Sequence, residues 1–170
     1  VLGSGPQLAT LRLANTGFTQ AYLRNAVSAD SDGVLGLDAN ITNPLDLALI
    51  GNGKFFLAAT GAARTYGLTS LGVGAGGTYR LGGGGQALTL SGANVLLGPN
   101  RLQVGSQATN AAGTVVLSAV NTFTGGSIVG RSSALQFTGA ATAAGHTLGT
   151  GQVDAFGTLT AFGTGTFFQN

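Results

Sequence analysis

The chain has 170 residues, of which 44% are hydrophobic and only 7% charged, and its net charge is +2. This balance argues against intrinsic disorder, and the lack of Cys excludes disulfides and thiolate metal sites. The seven basic residues are scattered singly, which argues against nucleic acid as a partner, and no apolar run reaches the length of a transmembrane helix.

An acidic cluster is the first feature along the chain that suggests chemistry. Asp30, Asp32 and Asp38 are three of the five acidic residues, and Gly33 between them favours a turn. Calcium prefers several oxygen ligands, and closely spaced Asp side chains around a turn can supply them. We therefore consider a calcium site at these three residues, the one cofactor that the sequence suggests; the alternative is a solvated turn.

Short segments of alternating polar and apolar residues follow, separated by glycine clusters such as residues 72–77 and 82–85. Residues 87–91, 114–118 and 134–138 carry this alternation most clearly. Alternation over four to six residues is typical of a half-buried β-strand, and glycine punctuation at this spacing is typical of an all-β fold.

An internal repeat indicates how these strands are arranged. Residues 90–98 and 117–125 share the form L-S-x-x-N-x-x-x-G. The spacing from Leu90 to Leu117 predicts one coil of a solenoid, and signals for hairpin turns are scarce. In stacked coils about 4.8 Å apart, we expect Leu90 and Leu117 to form an inward aliphatic ladder and Asn94 and Asn121 an amide ladder.

Residues 113–137 also resemble a known family. The stretch Asn121-Thr-Phe-Thr-Gly-Gly126, after an alternating strand and before Leu135-Gln136, is similar to the autotransporter-associated β-strand repeat, also called the passenger-associated transport repeat. The resemblance implies a right-handed parallel β-helix in a large bacterial protein that is exported to the cell surface or outer membrane. It implies no catalytic residues, because the repeat is associated with passage and folding of the passenger.

Together these features predict an all-β, right-handed parallel β-solenoid of about seven coils over residues 1–170, with residues 1–60 following the pattern least. Because the chain begins with Val1, we expect a processed or partial segment of a larger exported protein. The predicted function is structural or adhesive and not enzymatic. The expected partners are further copies or neighbouring solenoid segments, with a glycan or host surface as another candidate.

Two other function classes stay open at this stage. Threonine pairs at Thr158-Leu159-Thr160 and Thr164-Gly165-Thr166 suit a solenoid face that binds polysaccharide or ice. A β-helical polysaccharide-degrading enzyme would need Asp, Lys and Arg clustered on one face, and this chain has few such residues to cluster.

Overall fold

The computed structural model describes residues 8–106, 112–138 and 147–162. Within these ranges nearly every regular element is a short β-strand, and each pairing between strands is parallel. The strands stack into a β-solenoid of about six turns, which confirms the all-β solenoid predicted from alternation and repeat length.

The first face of the solenoid is a sheet of seven strands, one from each successive pass of the chain. In spatial order they are β1 (Thr10–Leu13), β2 (Val34–Leu37), β4 (Phe56–Ala59), β7 (Thr78–Leu81), β10 (Arg101–Val104), β13 (Ser127–Val129) and β15 (Val153–Ala155).

The second face is a sheet of five strands, which begins only in the third coil. Its strands are β5 (Arg64–Tyr66), β8 (Ala87–Leu90), β11 (Thr114–Leu117), β14 (Ala134–Thr138) and β16 (Thr158–Phe162). The three alternating segments of the sequence are therefore neighbours in this sheet.

Four two-residue strands, here called the connecting strands, lead the chain back to the first face. They form two pairs, β3 (Leu45–Asp46) with β6 (Leu71–Gly72) and β9 (Leu97–Gly98) with β12 (Thr122–Phe123). The helical elements among the described residues are α1 (Gln20–Ala26), between β1 and β2, and a 3₁₀ turn (Leu47–Leu49) after β3.

The number of coils is about six rather than the predicted seven. On the first face, one coil runs from a residue to its register partner in the next strand. The shortest coil runs from Val34 to Phe56, and the longest runs from Ser127 to Val153. Seven strands at steps of this size enclose six turns, and they already occupy the chain from residue 10 to residue 155.

Apolar side chains from equivalent positions stack through the interior in continuous ladders. One ladder of the first face joins Leu11, Leu35, Leu57, Leu81, Val104, Val129 and Ala155. Its five middle members are fully buried. Burying each Leu or Val stabilises the fold by roughly 1.5–3 kcal/mol, so the core needs neither charge nor disulfides.

Helix α1 covers the N-terminal end of this core. Thr19 caps the helix by accepting a hydrogen bond from the Tyr22 amide, and Leu23 and Val27, one turn apart, point into the core. The Gln20 side chain accepts from the Asp46 amide at 2.9 Å and donates to the Asp46 carbonyl at 3.2 Å. It thereby supplies strand β3 with the donor and acceptor that a neighbouring strand would supply.

Buried tyrosines serve the connecting strands in the same way. The Tyr66 hydroxyl accepts from the Leu45 amide at 3.2 Å and donates to the Ser70 carbonyl at 2.6 Å. The Tyr79 hydroxyl lies between the amide and carbonyl of Leu97, at 3.4 and 3.5 Å. Strands of only two residues leave backbone groups unpaired, and these side chains satisfy them.

In the part of the chain that the structure describes, no helix has the length and apolar character needed to cross a bilayer.

The buried Tyr66 makes the stability of the fold sensitive to alkaline pH. Burial raises the pKa of Tyr66 above its ordinary value, although the hydrogen bond from Leu45 opposes this effect. The unfolded chain therefore loses this proton first as the pH rises, and the free energy of unfolding should fall above about pH 10. Chemical denaturation at a series of pH values measures this fall.

A Tyr66→Phe variant should lose part of the alkaline dependence. At neutral pH it should also be less stable by about 1–3 kcal/mol, because the Leu45 amide and the Ser70 carbonyl lose their partner. Tyr22→Phe is the control, since Tyr22 is 64% exposed and should leave both quantities unchanged. Parallel pH profiles for the wild type and Tyr66→Phe would contradict the assignment.

Candidate functional site

The structure places Leu90 and Leu117 directly opposite each other in the second face, as register partners in β8 and β11. Both side chains are fully buried. They belong to a column of inward residues that also includes Tyr66, Phe137 and Ala161. This column is one of the apolar ladders that hold successive coils together.

Asn94 and Asn121 are not opposite each other, although they share a place in the sequence repeat. Leu90 pairs with Leu117 before this corner of the coil, and Leu97 pairs with Thr122 after it. The corner that contains Asn94 is thus two residues longer than the corner that contains Asn121. Asn94 lies in that longer corner with a φ of 54°, and its backbone amide donates to the Val120 carbonyl at 2.7 Å.

The Asn121 side chain links three coils through hydrogen bonds to backbone groups. Its Oδ1 accepts from the Leu96 amide in the preceding coil at 3.0 Å. Its Nδ2 donates to Ala119 in its own coil at 2.9 Å and to the Thr147 carbonyl in the following coil at 3.1 Å. Asn121 is 1% exposed, so its side-chain amide supplies inside the solenoid the hydrogen bonds that a neighbouring strand would otherwise supply.

The three Asp residues considered as calcium ligands are not assembled into one site. Asp30 is exposed, whereas Asp32 is half-buried and its Oδ1 lacks a hydrogen-bond partner among the described residues. The Asp38 carboxylate is engaged elsewhere, by two arginines. Across residues 8–106, 112–138 and 147–162, no three His, Cys, Asp or Glu side chains lie together in a group that could hold a metal ion.

Asp38 instead connects the first three coils electrostatically. It forms ion pairs with Arg12 of β1 and, at 3.4 Å, with Arg64 of β5. The hydrogen bond from Arg12 holds the pKa of Asp38 below its ordinary value, and Arg64 adds to this effect while desolvation opposes it. The two arginines lie one coil before and one coil after Asp38 in the chain, so the cluster follows from the solenoid register.

Arg80, on the first face, also has a structural contact. Its guanidinium donates to the Ala75 carbonyl at 3.0 Å in the turn before β7. Desolvation by the surrounding protein lowers the pKa of Arg80. This cation therefore fastens the turn before β7.

The threonines of the second face form an interrupted column. Its outward residues, in spatial order, are Thr65, Thr89, Val116, Gln136 and Thr160. Val116 and Gln136 break the regular threonine array that would suit a surface matched to ice. Thr164 and Thr166 lie outside the described residues.

The two ends of the solenoid differ. At the N-terminal end, α1 and Gln20 cover the core and the strand β3, whereas β1 pairs with β2 alone among the described residues. At the C-terminal end, β15 and β16 each pair with a strand on one side only, within the part of the chain that is described. Phe156 and Phe162 in this last coil are 61% and 49% exposed.

Sequence reasoning did not identify Gln20, Tyr66 or Tyr79 as residues that satisfy the connecting strands. Their partners Asp46, Leu45 and Leu97 lie far away in the chain, so these pairings can be found only when the register of the coils is known.

Comparisons with protein-family models, with curated proteins and with solved structures give no match for this chain.

The buried amide of Asn121 should contribute much more to stability than Asn94. Asn121→Ala leaves the Leu96 amide and the Thr147 carbonyl without their partner, and we expect a loss of at least about 2 kcal/mol in the free energy of unfolding. Asn94→Gly is the matched control, because glycine accepts a positive φ, and it should change stability by about 0.5 kcal/mol or less. Equal losses in the two variants, measured by denaturant titration, would contradict this assignment.

Proposed function

We propose that the chain is a structural segment of an exported bacterial surface protein, in which stacked β-solenoid coils form a stiff rod. The rod extends end to end by adding strands at β15 and β16. Its role is to space and present adhesive regions or to build a surface fibre or layer. The observation that carries the proposal is that strand pairing is one-sided at both ends of the described solenoid, at β15 and β16 at one end and at β1 at the other.

The interior supports a mechanical role. Aliphatic ladders run through the coils from Leu35 to Val129 without a buried charge among their members. Every coil adds one strand to the first face, and the parallel hydrogen bonds connect each coil to the next. Such a structure resists bending, because separating any two coils would expose apolar core side chains and unpaired backbone groups to water.

The one-sided strands at the two ends support head-to-tail association of copies. A bare strand edge is a template for pairing with another strand; β15 and β16 leave such edges at one end and β1 leaves one at the other, whereas Gln20 removes this template at β3. Leu159 and Ala161 of β16 occupy inward ladder positions, with Leu135 and Phe137 as their partners on one side. A further coil stacked on β16 would continue these ladders.

The bacterial and exported origin is supported by the residue pattern from Asn121 to Gly126. In the structure this stretch contains the connecting strand β12 and the turn that leads into β13. Asn121, the first residue of the pattern, is the buried amide that links three coils. The pattern therefore lies at a corner of the solenoid, where a buried amide joins successive coils.

Blocking the outer edge of the last coil should prevent end-to-end association. Successive residues of a strand present their N–H groups to opposite neighbours, and the Thr158 amide donates to Ser133 on the β14 side. The amide of Ala161 therefore points to the outer edge, and by the same alternation so does that of Ala155, since Phe156 donates to Val129. Proline is tolerated at such an edge but cannot donate to an added strand.

We expect the wild type to form elongated assemblies as its concentration rises, and the double variant Ala155→Pro/Ala161→Pro to stay monomeric. Sedimentation velocity and negative-stain microscopy measure this, with circular dichroism to verify that the fold is retained. The matched control is Ala155→Val/Ala161→Val, which keeps both amides and should assemble. A monomeric wild type, or assembly of the proline variant, would contradict the proposal.

A further inference from the structure

An open cleft on the outer surface of the first face lies close to its C-terminal edge. It has a volume of about 240 Å³, and its lining includes Arg101, Gly126, Ile128, Gln152 and Asp154. None of these residues belongs to the apolar ladders that hold the coils together, although Asp154 lies in the edge strand β15. The cleft therefore needs an explanation other than coil stacking.

The cleft exists because glycine occupies an outward position of the sheet. Leu102, Ser127 and Val153 are register partners, so the residues before them, Arg101, Gly126 and Gln152, form one outward column. Gly126 has a φ of 82°, and a Cβ there would lie 2.6 Å from the Gln152 carbonyl oxygen. No side chain fits at this position, which leaves a gap between Arg101 and Gln152 of two strand spacings, about 9.6 Å.

The two sides of the gap carry opposite hydrogen-bonding character. Arg101 supplies a fork of donors from one side. On the other side Gln152 Nε2 donates to Asp154 Oδ1 at 2.8 Å, which orients the carboxylate and leaves its second oxygen available to accept. The ion pairs found in the described ranges both involve Asp38, so the charges of Arg101 and Asp154 do not neutralise each other by direct contact.

Ile128 gives the cleft an apolar side. It lies in the neighbouring outward column, between Gln103 and Asp154, and is half-buried. A ligand that fits must therefore present an apolar face to Ile128 and groups that both donate and accept at its rim. Pyranose rings have this character, since their C–H groups form one face and their hydroxyls project from the edge.

We propose that this cleft binds one residue of an uncharged saccharide, with Arg101 donating to ring hydroxyls or the ring oxygen and Asp154 accepting from a hydroxyl. One cation and one anion leave the cleft without net charge, so it offers no net electrostatic attraction to a uronate or phosphate. The volume exceeds the roughly 30 Å³ share of a single water and is below the roughly 300 Å³ of the smallest drug-sized pockets. A single sugar ring matches that size.

Titration of the ¹⁵N-labelled chain with cellohexaose, laminarihexaose and mannohexaose, at a concentration at which sedimentation velocity shows it to be monomeric, tests the proposal. At least one of these neutral hexasaccharides should shift the backbone amides of Ile128, Gln152 and Asp154, with a dissociation constant on the order of 1 mM for so few contacts. Hexagalacturonate, the acidic comparison, should bind no more tightly than that neutral saccharide.

Substitutions within the cleft should weaken binding without affecting the fold. Arg101→Gln and Asp154→Ala should each lower the affinity about tenfold, the loss expected for one hydrogen bond to a charged group. Arg131→Gln is the matched control, because Arg131 is exposed and does not line the cleft, and it should bind as the wild type does. Thermal melts establish that all three variants are folded.

Three outcomes would overturn the proposal. The first is the absence of shifts at these amides with all three neutral hexasaccharides. The second is unchanged affinity in both Arg101→Gln and Asp154→Ala, and the third is tighter binding of hexagalacturonate. These outcomes leave the end-to-end association of the rod untouched, because that association is measured separately at β15 and β16.

Discussion

The hydrogen bond between the backbones of successive coils is the interaction on which this structure depends. Each buried N–H and C=O group needs a partner in the coil before or after it. On the two broad faces the strands supply these partners, but the connecting strands are only two residues long. In the described residues, Gln20, Tyr66, Tyr79 and Asn121 bond with side-chain amides and hydroxyls to backbone groups in or beside these strands. Two amide side chains and two tyrosine hydroxyls thus make hydrogen bonds that a longer strand would otherwise make.

The same requirement explains the composition and the ends of the molecule. Because main-chain hydrogen bonds and stacked aliphatic side chains connect the coils, the core can form with few charges and no cysteine. The Arg12–Asp38–Arg64 cluster joins three coils but lies at a corner of the solenoid, outside the apolar core. A stacked structure must also resolve its two ends, and it does so differently at each. Helix α1 covers the core at one end but leaves the outer edge of β1 unpaired in the described residues, while β15 and β16 leave strand edges that suit an added coil.

The sequence carried enough information for the fold, because alternation and a repeat of coil length are properties of local residues. It did not reveal the partners of Asn94 and Asn121, because a corner that is two residues longer in one coil shifts the register between the faces. Nor did it reveal that Asp38 is paired with Arg12 and Arg64, since each lies a full coil away. The cleft beside Gly126 was hidden for a related reason: a glycine in an outward column becomes a gap only when its neighbours in adjacent coils are known.

Hydrogen bonds between coils can be observed directly by NMR, through scalar couplings that cross a hydrogen bond from the donor nitrogen to the acceptor carbon. The most informative coupling joins the Leu96 amide nitrogen to the side-chain carbonyl carbon of Asn121, whose oxygen lies 3.0 Å from that nitrogen. A correlation between these two atoms, together with one from the Ser118 nitrogen to the Leu90 carbonyl carbon, is the result that stacked parallel coils require. A Leu96 amide that exchanges rapidly with solvent, or a Ser118 amide coupled to a nearby hairpin partner, would contradict the account.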